Sequence, residues 1–312
     1  MPKVDRAKLL QTMKAIEKQY GVGSVYTVGS DKAIMDIQRW STGIEELDAI
    51  LGGGMPEGRV IEIFGCESAG KTSLAYHLMA QCEIALDIPI EGTFDAKRAM
   101  SFGNRKGQLM VRRANTGEQT LEMTREFARA SCPCIVIDSV PSMITDKEFE
   151  EEDMEKATQP GRIAALLSTK LPKIVNICER SGTTLIFINQ LRDQMQAMLF
   201  GPTTHTPGGR ALRHYCSLRI QVARKAWIKI PNKDPKNSSK DRPIGLIMKI
   251  KVVKSKVCEP LGECEVPMLF NRGFVSMEEY KEIRKELMRE QNAKFKTSKK
   301  DIDSDDEDED DE

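Results

Sequence analysis

Residues Arg59–Gln81 read RVIEIFGCESAGKTSLAYHLMAQ. The stretch opens on an apolar run, Val60, Ile61, Ile63 and Phe64, broken only by Glu62. That is the pattern of a buried strand. Gly65, four residues, Gly70, Lys71 and Thr72 follow, then a run with Leu74, Leu78 and Met79 at helical spacing. Strand, G-x-x-x-x-G-K-[ST] and helix in that order make a phosphate-binding loop. A chance Gly-rich turn would match the spacing, but not the strand before it and the helix after it. The glycines let successive N–H groups turn toward one anion, and the helix N-terminus favours negative charge there. Lys71 is placed to reach the terminal phosphates of a nucleotide, and the Thr72 hydroxyl to ligate Mg²⁺.

Outward from this point the chain alternates. EQTLEMTREFARA reads as a helix, CIVIDSV as a buried strand, GRIAALLSTKLPKIVNICERSG as a long helix and TTLIFINQ as another buried strand. Buried strands alternating with helices predict an α/β fold with a mostly parallel sheet flanked by helices. SLRIQVARK and GLIMKIKVVKSK follow without a helix between them, joined by the lysine-rich KIPNKDPKNSSKDRP, which predicts an antiparallel extension. Upstream, Ser41 or Thr42 is expected to N-cap a helix over Ile44 to Leu51, with Glu45 or Glu46 closing a capping box and Gly52-Gly53-Gly54 ending it. Residues 5–19 show helical spacing and Gly21 to Gly29 a glycine-punctuated strand. This small module has too little apolar surface to close a domain, so it is expected to pack on something else. Residues 277–293 read as one charged helix.

Composition bounds the partners. The 312 residues hold no membrane-length apolar run, and the polar start lacks a signal core, so a cytoplasmic chain is expected. The eight cysteines are scattered; Cys258 and Cys264, with five residues between them, fit no common zinc spacing, so reduced thiols are expected. The formal net charge of zero hides an asymmetry. Residues 301–312, DIDSDDEDEDDE, carry ten acids and no base. Without them the chain has 47 Lys and Arg against 37 Asp and Glu (47 less those ten). A basic body with an acidic, disordered tail suits an anionic partner such as nucleic acid, for which the tail would compete.

In open α/β sheets ligands gather at the carboxyl ends of the strands. Asp138 ends IVID and is placed to hold the Mg²⁺ shell, with Ser139 beside it. Glu91 ends a short apolar run and is the candidate to position or activate water. Asp95 reads as a helix cap or a nucleotide contact. Gln190, ending LIFINQ, is placed either to sense a γ-phosphate or to serve structure.

Taken together, GCESAGKT, Glu91, IVIDSV, LIFINQ and a Gly-rich loop ending TPGG resemble the bacterial RecA recombinases and their phage relatives. IEKQYGVGSVYTVG, STGIEELDAILGGGMPEGRVIEIFG, NTGEQTLEM and KVVKSKVCEP agree, so the resemblance runs over roughly residues 8–270. The short chain and IEGTFDAKRA suggest a phage-type member. The resemblance implies an ATPase core that stacks head-to-tail into a helical filament on single-stranded DNA and pairs it with a duplex. It implies an oligomerisation module at 1–35, a RecA-like core with DNA-binding loops at 36–270, a C-terminal helical segment at 271–300 and an acidic tail at 301–312. Gly65, Cys66, Glu67, Ser68, Ala69, Gly70, Lys71, Thr72 and Ser73 would bind ATP phosphates, Glu91 would activate water, and Asp138 would serve Mg²⁺. Gln190 would couple the γ-phosphate to the loop after it. Lys254 and Lys256 would reach the ATP of the adjacent subunit and steady its charge; read alone, they are equally a solvated strand face.

Two loops would hold DNA, one over Glu150 to Arg162, the other over Leu191 to Arg210. The second offers Arg192, Met198, Leu199, Phe200, Thr203, Thr204, Gly208, Gly209 and Arg210, suited to gripping backbone and separating bases without reading sequence. This chain departs from the family in places. Arg98 replaces an aromatic that stacks on adenine, and His214 replaces an interface aromatic. The first loop is more acidic, and the second is one residue longer before Phe200. The C-terminal domain is reduced to a helix and tail. Two other readings share the phosphate loop: a ring-forming motor of the same fold, and a scaffold filament that binds ATP and DNA without turnover.

Overall fold

The computed structural model describes residues 4–21, 25, 37–92, 94–152, 161–193, 204–230, 241–287 and 289. The chain divides into two compact units, Met1–Gln38 and Arg39–Glu312.

In the first unit α1 spans Arg6–Tyr20. Asp5 caps it by accepting from the Lys8 N–H at 3.1 Å. No residue of α1 is buried, and Leu9 and Leu10 stand exposed. The strand expected over Gly21 to Gly29 lies, but for Gly21 and Val25, outside the described residues.

The second unit begins with a short pair, β1 (Arg39–Trp40) and β2 (Met55–Pro56), around α2 (Glu45–Leu51). The expected capping differs. The N-cap of α2 is Ile44, without a side-chain bond. Ser41 and Thr42 instead give their hydroxyls to the Asp48 carboxylate, each at 2.6 Å. Their oxygens still accept from backbone N–H groups, those of Gly43 at 3.1 Å and Ile44 at 3.2 Å, ahead of the helix and not in its first turn. The chain then runs through β3 (Val60–Gly65), α3 (Lys71–Ala80), β4 (Ala85–Pro89), α4 (Ala96–Ser101), β5 (Leu109–Val111), α5 (Gly117–Arg129), β6 (Cys134–Asp138), α6 (Asp146–Glu150), α7 (Arg162–Ser181) and β7 (Thr184–Gln190). A two-stranded stem follows, β8 (Arg192–Asp193) on β9 (Thr204–His205), then α8 (Gly209–Tyr215). β10 (Leu218–Ile230), β11 (Arg242–Ser255), β12 (Glu263–Leu269) and β13 (Gly273–Phe274) close the sheet. Residues 277–287 form a last helix, α9.

Among the described residues nine strands form one sheet, in the order β13-β12-β11-β10-β3-β7-β6-β4-β5. β10, β3, β7, β6, β4 and β5 run parallel, and β11 to β13 add the antiparallel extension that the sequence predicts. β10 and β11 run further than their apolar runs suggested, because Trp227 to Ile230 stay paired with Arg242 to Leu246 across a register shift between Ile228 and Lys229. The sheet separates two cores. Ile61, Ile63, Val136 and Ile188 pack with Leu74, Leu78 and Met79 of α3 on one face; Val60, Ile135, Ile137 and Phe187 pack with Leu121 of α5 and Leu171 and Ile174 of α7 on the other. Alternate residues of each strand thus serve opposite layers, which is why these strands read as continuous apolar runs. The eight cysteines are all free thiols, and burial raises Cys132 to about 11. Among the described residues no helix is long and apolar enough to cross a membrane.

Candidate functional site

β3 ends at Gly65, and the chain turns through Cys66 to Gly70 into α3. Gly65 is required by close approach: a Cβ there would sit 2.0 Å from the Val222 carbonyl oxygen of β10. Gly70 is required by conformation, at φ +94°, and as the N-cap of α3 it supplies no side chain to the helix's first N–H groups. Those donors suit an anion. Lys71 is buried at the helix start, and its Nζ donates to the Cys66 carbonyl at 2.7 Å. Burial lowers its pKa, opposed by the nearby Asp138 carboxylate. A cationic donor, bare helix N–H groups and a glycine-lined turn are the parts a polyphosphate needs, so the residues fit an ATP triphosphate.

The neighbouring strand ends add oxygen ligands. Thr72 Oγ1 donates to Asp138 Oδ2 at 2.7 Å. Burial raises the Asp138 pKa, with Glu91 adding repulsion. Among the described residues no three His, Cys, Asp or Glu side chains gather as a metal cluster. The paired Thr72 hydroxyl and Asp138 carboxylate are the hard oxygen donors that suit Mg²⁺, which takes one or two protein ligands. One oxygen of Glu91, Oε1, accepts from Ser139 Oγ at 2.6 Å, from Ser142 Oγ at 3.3 Å and from Gln190 Nε2 at 3.3 Å. Two residues 99 positions apart, both singled out at strand ends, thus meet at one atom. Ser142 was not legible as their partner, because it enters from the 3-10 turn after β6.

Asp95 is the helix cap: its carboxylate accepts from the Arg98 N–H at 3.0 Å to start α4. The Arg98 guanidinium crosses to Ser73 Oγ at 2.8 Å. From there a cleft of ≈ 370 Å³ runs past the phosphate loop to Trp227 and Phe270. Neither aromatic was a sequence candidate.

Lys254 and Lys256 converge as their spacing predicts. Both donate to the His214 carbonyl, at 3.0 and 3.1 Å, at the C-terminus of α8. Burial lowers the Lys254 pKa, and Lys256 adds to it. Among the described residues the side-chain bonds of both lysines go to the Arg213 and His214 carbonyls of α8. His214 itself is exposed and packs edge-on against Tyr215.

Of the expected DNA-binding residues, Met198, Leu199, Phe200 and Thr203 lie outside the described residues. Arg192 and Thr204 fall in the β8–β9 stem, so the second loop is carried on a paired base. Arg162 begins α7, and Gly208, Gly209 and exposed Arg210 begin α8. The two loop ends meet: Arg162, Gly208, Gly209 and Arg213 line one cleft of ≈ 400 Å³. Behind them Asn189 Nδ2 donates to the Pro207 carbonyl at 2.9 Å and to buried Glu62 at 2.7 Å. Glu62 is paired with Arg219. Its one sequence signal was a charge inside an apolar strand.

The sequence is similar to that of known proteins. The RecA N-terminal domain family matches residues 7–275. "Protein RecA" of Ruminococcus albus is 39% identical over 277 residues, covering 86% of this chain and 66% of that protein. "Protein RecA" of Chlorobium limicola is 36% identical over 91% of this chain and 80% of its own length, and that of Syntrophus aciditrophicus 38% over 86% and 77%. With the phosphate loop, Asp138 and the Glu91–Gln190 contact all inside the matched span, this chain belongs to the RecA family.

Proposed function

We propose that this protein is an ATP-dependent DNA recombinase. It assembles as a helical filament on single-stranded DNA, pairs that strand with a homologous duplex and exchanges strands, and DNA stimulates its ATP hydrolysis. The observation that carries this reading is the Gln190–Glu91 bond at the head of the β8–β9 stem. It joins a candidate water-activating carboxylate to the base of a candidate DNA loop.

Each residue then has a task. Lys71 and the loop N–H groups bind the β- and γ-phosphates and offset their charge. Thr72 and Asp138 would hold Mg²⁺, which would offset the negative charge of the phosphates. Glu91 orients the attacking water and accepts its proton, held in place by Ser139 and Ser142. Gln190 leaves Glu91 for the terminal phosphate and carries that change to the loop behind it. Lys254 and Lys256 act on the neighbouring subunit's nucleotide. Their place beside exposed His214, away from their own loop, supports that. The cleft between the two loop ends grips DNA backbone through Arg162, Arg210 and the glycine N–H groups, with Arg192, Met198, Leu199, Phe200, Thr203 and Thr204 supplied by the loop itself. The exposed apolar face of α1 is the contact to the next subunit, so residues 1–35 act as the oligomerisation module. The domain limits at 270 and 300, a bacterial or phage-infected cytoplasm and a competing acidic tail belong to the same reading.

ATP turnover with and without single-stranded DNA, imaged in parallel, tests it. DNA-stimulated turnover on helical filaments, reduced roughly 10²–10⁴-fold in Glu91→Gln with ATP affinity kept, is the expected result. Turnover on closed rings would make the chain a motor. Filaments whose turnover ignores Glu91→Gln would make it a scaffold.

A further inference from the structure

The cleft that starts at Ser68 and Lys71 ends on an aromatic wall. Trp227 of β10 stands there 40% exposed, while Ile228 beside it is buried. Phe270 meets the indole edge-on, ring centroids 6.3 Å apart at 74°. Arg224 braces the same ring: its Cζ lies 4.2 Å from the indole centroid, and its Nη1 donates to the Ser68 carbonyl at 3.3 Å. One arginine therefore ties the indole to the phosphate loop. On the α4 side the cleft is lined, among the described residues, by the Arg98 guanidinium bonded to Ser73.

We propose that Trp227 is the base platform of the nucleotide site, the residue on which the base of a nucleoside triphosphate stacks while the phosphate loop holds its phosphates. A large aromatic left 40% exposed in a phosphate cleft, and packed under an arginine bonded to the phosphate loop, is suited to stacking at low entropic cost. Stacking reads the face of a base and not its edge. Trp227 therefore supplies affinity for purines in general, and adenine and guanine triphosphates bind within a few-fold of each other through it.

The inference rests on the nucleotide reading of the phosphate loop, so its test separates the two. The full chain, Trp227→Ala and Trp227→Phe are titrated with ATP and with inorganic tripolyphosphate in Mg²⁺, by calorimetry and by tryptophan emission. The expected result is that Trp227→Ala binds ATP roughly tenfold more weakly and tripolyphosphate unchanged, with Trp227→Phe close to the parent. ATP, and not tripolyphosphate, quenches the parent's emission, and the quenching disappears in Trp227→Phe although Trp40 remains. If Trp227→Ala does not fold, the emission titration decides alone. Equal ATP affinity in Trp227→Ala, or quenching that survives in Trp227→Phe, overturns the platform and leaves the phosphate loop standing. A parent that binds neither ligand overturns both.

Discussion

Removing Arg219 tests the least expected feature of the core, a charge placed inside its central strand. Glu62 is 0% exposed on β3, and its Oε2 accepts from Arg219 Nε at 2.5 Å. Its other oxygen accepts from Asn189. Arg219 is 16% exposed, and its guanidinium also lies over Phe64 at 4.6 Å. Arg219→Met keeps most of the stem and deletes the charge. The Glu62 carboxyl is then left in the core without its charged partner, with one neutral amide donor. Breaking a buried pair from one side costs about 3–5 kcal/mol, because a carboxylate is stranded away from water. The residual exposure of Arg219 puts the expected loss near the lower bound, about 3 kcal/mol. Equilibrium urea unfolding at neutral pH measures it. The double variant Glu62→Gln/Arg219→Met leaves no buried charge and is expected to recover more than half of the loss. A single-variant loss under about 1 kcal/mol, or a double variant no more stable than the single, would refute the idea that the pair is held by mutual need.

Two further outcomes follow from geometry and burial. Gly65→Ala would drive a methyl into the Val222 carbonyl at 2.0 Å, so β3 and β10 must part; a loss of about 3 kcal/mol or more is expected, and a melting temperature within roughly 2 °C of the parent would contradict it. Asp87, 2% exposed on β4, has its pKa raised from 3.8 to about 7 by burial and by Asp138. The folded state therefore holds this proton more tightly than the unfolded chain, and stability is lost as pH rises from about 4 to about 7, then levels. Asp87→Asn should gain on the parent over that window, by on the order of 3–4 kcal/mol above it, in Mg²⁺-free unfolding curves; a difference independent of pH would rule this out.

What could be read from the sequence was local. The phosphate loop was legible because strand, glycines and helix are contiguous, and the antiparallel extension because two strand runs follow one another with no helix between. Glu91 and Gln190 were legible singly, as polar residues closing apolar runs, but their contact depends on the parallel order β7-β6-β4, which no local pattern encodes. Trp227 was hidden for the same reason: it reaches the phosphate cleft only through the sheet order that sets β10 beside β3. The cap of α2 was misread although it is local. Ser41 and Thr42 donate to the Asp48 carboxylate and accept from the N–H groups of Gly43 and Ile44, so both hydroxyls act before the helix begins and not on its first turn.

Adjacent residues on β7 point to opposite faces of the sheet, and that alternation gives the proposed coupling its physical form. Gln190 faces Glu91. Asn189 faces the other way and is fully engaged: its Nδ2 serves Glu62 and Pro207, and its Oδ1 accepts from the Gln190 N–H at 2.9 Å. The amide bonded to Pro207 is therefore bonded to the backbone of the residue that holds the Glu91 carboxylate. Moving Gln190 toward a phosphate disturbs a donor that Asn189 accepts. Asn189 cannot follow freely, because Glu62 is clamped from the far side by Arg219. The slack in the network lies at Pro207, a part-buried carbonyl at the edge of the loop cleft. In the proposed coupling the buried ion pair would be the fixed post against which a change at the nucleotide is passed to the loop end. That role accounts for a charge in the middle of β3, where an apolar residue would give stability at lower cost.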